Sequence, residues 1–204
     1  MLSDRFTQAL TFATELHARQ TRKGGTIPYV AHLMAVCSLV LEHGGSEDEA
    51  IAALLHDAIE DQGGIPTRDA IYQRFGATVT AIVEGCTDTH ITPKPPWQAR
   101  KQAYIDHIAT ASDSVRLVSS CDKLHNARSI LTDYRLVQES LWQRFQGGKD
   151  GTLWYYRSLI HAFRQHSSSP VVDELDRVVT TLEQLVLEQG AVEGNPAAAP
   201  GLMP

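Results

Sequence analysis

The chain has 204 residues, enough for one domain with a sizeable core, and its composition is that of an ordinary globular protein. A formal net charge of −6 argues against broad, non-specific binding to nucleic acid, so an anionic ligand has to be captured by a local basic cluster. No apolar run reaches membrane-spanning length, and Met1-Leu2-Ser3-Asp4 lacks the basic and apolar stretches of a signal peptide. Cys37, Cys86 and Cys121 are widely separated and odd in number, which gives neither a CxxC metal site nor a disulfide framework. The expectation is a cytoplasmic protein.

Ser3 can cap a first helix whose buried side carries Phe6, Ala9, Leu10, Ala13 and Leu16. Thr21-Arg22-Lys23-Gly24-Gly25-Thr26-Ile27-Pro28-Tyr29 reads as a loop, punctuated by its glycines and proline. A second helix over about Val30 to Glu42 holds His32 near its start. Ser46-Glu47-Asp48-Glu49 is a capping-box pattern, and it launches a central helix expected to run to Gly63-Gly64. Thr67 begins a shorter helix ending near Phe75-Gly76, and Ala77 to Cys86 forms another. The proline-rich loop from Thr87 to Pro96 carries Lys94, and Trp97 to Ala109 returns to helix with Arg100 and Lys101. Ser112 or Asp113 caps the next helix, in which apolar residues surround Asp122. Gly147-Gly148 separates two last helices, over about Thr152–Gln165 and Val171–Gln189. From Gly190 the Ala/Pro/Gly-rich composition reads as a disordered tail. No segment alternates like a strand, so the expectation is an all-α single domain over residues 1–189, followed by a tail over 190–204.

The chemistry concentrates in Leu54-Leu55-His56-Asp57-Ala58-Ile59-Glu60-Asp61. His56 and Glu60 are four apart, as are Asp57 and Asp61, so on a helix each pair shares a face. Such side chains are rarely buried without partners, and a bound cation with a water to activate supplies a reason for them. Standing alone, His56 reads equally as a core histidine and Asp57 as a surface charge. His32 and Asp122 shift that balance, because they lie in equally apolar helices. Two His and two Asp make an N₂O₂ ligand set that leaves coordination positions open. The remaining histidines, His17 and His125 among them, read as surface or packing residues.

These pieces resemble a known family. His32, His56-Asp57 and Asp122 look like the H…HD…D ligand set of HD-domain phosphohydrolases. More narrowly, Arg22-Lys23, Pro28-Tyr29-Val30-Ala31-His32, His56-Asp57-Ala58-Ile59-Glu60-Asp61, Gly85-Cys86-Thr87-Asp88 and Asp122-Lys123-Leu124-His125-Asn126 resemble the hydrolase domain of RelA/SpoT-type alarmone enzymes, above all the small stand-alone members. The resemblance runs from about Phe6 to Leu131. It implies an HD-type helical bundle with one Mn²⁺ held by His32, His56, Asp57 and Asp122. It also implies removal of the 3′-pyrophosphate of ppGpp or pppGpp, giving GDP or GTP and pyrophosphate.

In that reading Glu60 and Asp61 orient or deprotonate the attacking water. Two carboxylates at a helix C-terminus oppose the macrodipole, which favours a functional reason for them. Arg22 and Lys23 flank the nucleotide, Arg22 against the base or a phosphate. Lys94, Arg100 and Lys101 are candidates for the pyrophosphate, Asn126 for the ribose or a phosphate, and Tyr155 or Tyr156 for closing the pocket. Lys123 and Arg128 are further candidates. The expected partner is a small-molecule nucleotide, without nucleic acid or membrane; a homo-oligomer is compatible with the sequence. One departure from the family pattern is Gly24-Gly25-Thr26 directly after Arg22-Lys23, where an acidic residue and a longer insert are common. Alternatives that share the same chemistry are a hydrolase of ppApp-type alarmones, a phosphatase for the 2′-phosphate of NADPH, and a nucleotidase acting at the 5′ end. A non-catalytic nucleotide-binding HD module is the alternative of a different class.

Overall fold

Side-chain caps begin three of the helices where the sequence marks them. The computed structural model describes residues 1–89, 93–165 and 169–193. The Ser3 hydroxyl accepts from the Arg5 amide ahead of α1 (Asp4–Leu16). After α2 (Val30–Glu42), Ser46 and Glu49 form the reciprocal capping box of α3 (Glu47–Leu55). A single turn, α4 (Ala58–Asp61), leads to α5 (Ile65–Cys86) and α6 (Trp97–Ile108). Ser112 caps α7 (Asp113–Val137), followed by a 3₁₀ segment over Gln138–Arg144. Helices α8 (Gly148–Arg164) and α9 (Pro170–Glu193) complete the described chain. The extended pairing among the described residues is one isolated bridge, Thr21 with Pro28, so the fold is all-α.

Helix α3 is the centre of the molecule. Ala50, Ile51, Ala52, Ala53, Leu54 and Leu55 are all buried, and α1, α2, α5 and α7 pack around it. A helix apolar all round belongs inside, and its three alanines let neighbours come close. Helix α9 lies against α7 and α8, so the last helix is part of the same core. None of the helices is long and apolar enough to cross a membrane.

Four boundaries differ from expectation, one of them the start of α8, at Gly148 rather than Thr152. The central helix does not run unbroken to Gly63: α3 stops at Leu55, and Asp57, at φ −99° and ψ −3°, stands at the start of α4. His56 turns its Nδ1 to within 2.8 Å of the Ala53 carbonyl, a side-chain donor for one of the acceptors left over at a helix end. Asp57 and Asp61 remain one turn apart, with the Asp61 amide donating to the Asp57 carbonyl at 2.9 Å. The fifth helix starts at Ile65 rather than Thr67, with a proline in its first turn, and Gly76 at φ +85° breaks it where two helices were expected. Helix α9 continues to Glu193, past the expected end at Gln189, and the rest of the predicted tail lies outside the described residues.

Candidate metal centre and substrate cavity

Four side chains expected as ligands come together from three parts of the fold. Helix α2 presents His32, the α3–α4 junction presents His56 and Asp57, and the middle of α7 presents Asp122. His32, His56 and Asp122 are 1%, 2% and 5% exposed. Nε2 of His56 lies 2.9 Å from Asp57 Oδ2 and 3.6 Å from Asp122 Oδ1. Nε2 of His32 lies 3.6 Å and 3.2 Å from the same two oxygens. His32, His56 and Asp57 each offer one donor atom within 4.8 Å of the others.

The residues present fit a divalent cation. Both Nε2 atoms are buried and form no hydrogen bond of acceptable geometry, a costly state for a polar atom without a further partner. Their other ring nitrogens are occupied. A neutral His56 that donates Nδ1–H to Ala53 keeps its Nε2 lone pair for the centre. Nδ1 of His32 lies 2.8 Å from Nδ1 of His125. The carboxylates are held as firmly. The Tyr29 hydroxyl donates to Asp57 Oδ2 at 2.6 Å, Lys123 Nζ to Asp122 Oδ2 at 2.5 Å, and Asn126 Nδ2 to Asp122 Oδ1.

Electrostatics keeps the two carboxylates ionised, as a cation site requires. Burial opposes a charge on His56, but Asp57 and Asp122 raise its pKa well above the ordinary value, so a cation bound there would displace the Nε2 proton. Burial raises the pKa of Asp57, but the facing His56 and His32 rings hold it well below the usual carboxylate range. Burial likewise opposes ionisation of Asp122, and Lys123 with the two histidines overcomes it. Burial and the neighbouring Asp57 raise the Tyr29 phenol, which therefore stays a donor. Burial, His32 and Arg22 lower His125 to about 4, so that ring is neutral.

Glu60 and Asp61 lie beside Asp57 in the wall of a cavity of about 890 Å³. Lys94 Nζ donates to Glu60 Oε1 at 2.6 Å, and Gln20 Nε2 to Asp61 Oδ2 at 2.8 Å. Burial and the Asp57 charge raise the Asp61 carboxyl above its ordinary value.

Arg22, Lys23, Arg100, Lys101, Asn126 and Tyr155 line the same cavity, and Lys94 reaches it through Glu60. Arg22 donates to Asn126 Oδ1 at 2.6 Å and faces the Tyr29 ring at 5.8 Å. Lys23 faces the Phe145 ring at 5.7 Å. Neither cation has a carboxylate within ion-pair reach among the described residues. Arg100 and Lys101 instead converge on Asp88, and Lys101 also lies 4.8 Å from the centre of the Tyr155 ring. Gly24, at φ +78°, lets the Arg22–Gly25 loop turn against Arg144; an added Cβ would lie 2.8 Å from the Arg144 side chain.

Four residues of this site had no such role in the sequence reading. His125, expected at the surface or in packing, lies against His32. Tyr29 and Asp88 sit in stretches that match the family pattern, but residue type alone carries no sign of their partners. Lys123, considered for substrate, pairs with Asp122 in the cavity wall.

Comparison with known proteins agrees with this geometry. The HD-domain family model matches residues 9–153. A guanosine-3′,5′-bis(diphosphate) 3′-pyrophosphohydrolase of Xenopus tropicalis, MESH1, is 37% identical over 126 residues, 60% of this chain and 68% of that protein. The Homo sapiens MESH1 is 35% identical over 127 residues, again 60% and 68%. The structure of a metazoan SpoT orthologue that hydrolyses ppGpp superposes with a TM-score of 0.74 at 25% identity, covering 89% of this chain and 97% of that one.

Proposed function

The chain belongs to the HD-domain family, and we propose that it is an alarmone hydrolase that removes the 3′-pyrophosphate of ppGpp and pppGpp, releasing GDP or GTP. The observation that carries this reading is the pair of buried Nε2 atoms facing Asp57 and Asp122, two carboxylates that line a nucleotide-sized cavity.

His32, His56, Asp57 and Asp122 would hold one divalent cation, which we take to be Mn²⁺. When bound, such a cation polarises a phosphoryl oxygen and eases deprotonation of water. The chain's own groups do the rest. Asp61 accepts the proton of the attacking water, and burial beside Asp57 makes its carboxylate a stronger base than an ordinary one. Glu60, held by Lys94, orients the same water. Arg22 and Lys23 meet the substrate as cations without carboxylate partners, whereas Asp88 pre-positions Arg100 and Lys101 for the pyrophosphate. Asn126 and Tyr155 complete the nucleotide contacts. The catalytic domain spans residues 1–189, a reading supported by α9, which packs on α7 and α8 through side chains buried from Val171 to Val186. We place the protein in the cytoplasm, where its three free cysteines and a nucleotide substrate are both at home.

The experiment that tests substrate choice compares initial rates on ppGpp, ppApp and NADPH with Mn²⁺ present. The expected result is fastest turnover of ppGpp, with pyrophosphate as the released group. Negligible relative activity on ppGpp would overturn the assignment.

A further inference from the structure

The end of α1 reaches both carboxylates of the α4 turn through a short polar cluster. Gln20 is anchored at both peptide groups: its amide donates to the His17 carbonyl at 3.0 Å, and its carbonyl accepts from the Tyr29 amide at 2.9 Å. Its side-chain Oε1 lies 2.6 Å from Gln62 Nε2 and 2.6 Å from His17 Nδ1. A flipped Gln20 amide would set its NH₂ against the Gln62 NH₂ and its oxygen against a carboxylate, so the network fixes its polarity. The NH₂ is thereby committed to Asp61 Oδ2 at 2.8 Å. His17 is buried, and its ring stacks on Tyr29 at 5.2 Å and 18°. Tyr29 in turn donates to Asp57.

We infer that Gln20 is a positioning residue: locked by His17 and Gln62, it holds the Asp61 carboxylate in the orientation from which it takes a proton. This rests on Asp61 being the proton acceptor, as proposed above. The groups facing Asp61 are Asp57 and Glu60 of its own turn, Lys94 from the loop before α6, and Gln20. Among them Gln20 favours the carboxylate by donating to it. Without that donor the carboxylate is free to rotate away.

Gln20→Met keeps the side-chain volume and removes both amide functions. Gln20→Glu keeps the acceptor for His17 and Gln62 while replacing the donor with a second carboxylate. Each is compared with wild type and Asp61→Asn. The readouts are kcat and KM on ppGpp and Mn²⁺ affinity by calorimetry. The expected result is a fall in kcat of about tenfold or more in both Gln20 variants, while KM and Mn²⁺ affinity stay within about twofold. Wild-type kcat in both Gln20 variants would overturn the inference, as would a loss of Mn²⁺ affinity parallel to the loss of kcat. Full activity in Asp61→Asn would instead remove Asp61 from the mechanism and leave the metal site standing.

Discussion

His32 and His125 meet through like atoms, Nδ1 to Nδ1 at 2.8 Å. One of the two must carry the proton. If His32 offers Nε2 to a cation, its own Nδ1 bears the hydrogen, and His125 accepts with its proton on Nε2. The neutral state that burial and neighbouring charges impose on His125 is the one this requires.

His125→Phe keeps a ring of similar size and removes the acceptor. We expect Mn²⁺ affinity to fall about 10- to 100-fold, as for other hydrogen-bond partners of ligating histidines. Calorimetric titration measures it, with His32→Ala as the control that removes the ligand itself. Unchanged affinity in His125→Phe beside a large loss in His32→Ala would exclude the supporting role.

Asp57→Ala and His56→Ala remove ligands and should abolish both metal binding and turnover. Glu60→Gln retains the shape and all four ligands, so metal content should be normal while kcat falls about 10²- to 10⁴-fold. Metal analysis and steady-state kinetics on the same preparations separate the two classes. Full activity in Glu60→Gln would take that residue out of the mechanism.

Arg22 faces the cavity without a carboxylate partner, and its guanidinium is bonded to Asn126. Arg22→Ala should raise KM for ppGpp by about tenfold or more, with a smaller effect on kcat, because a cation bound to a highly charged ligand contributes in ground and transition state alike. The wild-type KM should rise with added salt more steeply than that of the variant. Equal salt dependence would place Arg22 away from the phosphates.

Leu55 is fully buried in the last turn of α3, immediately before His56. Leu55→Ala should lower unfolding free energy by about 2–5 kcal/mol, read from urea denaturation of the metal-free protein. The cavity left beside His56 should also loosen the site, so a destabilised variant with wild-type Mn²⁺ affinity would show that α3 packing and ligand placement are independent.

The parts of this fold that local chemistry determines were legible in the chain. Ser3, Ser46 and Ser112 cap helices because each supplies a side-chain oxygen to orphan amides, and Gly76 breaks a helix because it occupies a positive φ. His32, His56, Asp57 and Asp122 stood out as polar groups in apolar helices, and the structure gathers them. The break at His56 was hidden because Leu54 to Asp61 keeps helical periodicity, while a side-chain bond to Ala53 ends the helix. His125 and His32 are 93 residues apart in the chain, so their contact exists only once α7 packs on α2. Asp88 was similarly opaque, because its role appears when α6 brings Arg100 and Lys101 to it.

Incubation of the purified protein with ppGpp, with and without Mn²⁺, followed by anion-exchange separation of the products, tests the proposed cleavage itself. GDP and pyrophosphate should form in equal amounts, only with the metal and not with Asp57→Ala. Orthophosphate or nucleoside as the released product, or equal turnover in metal-free protein, would contradict it.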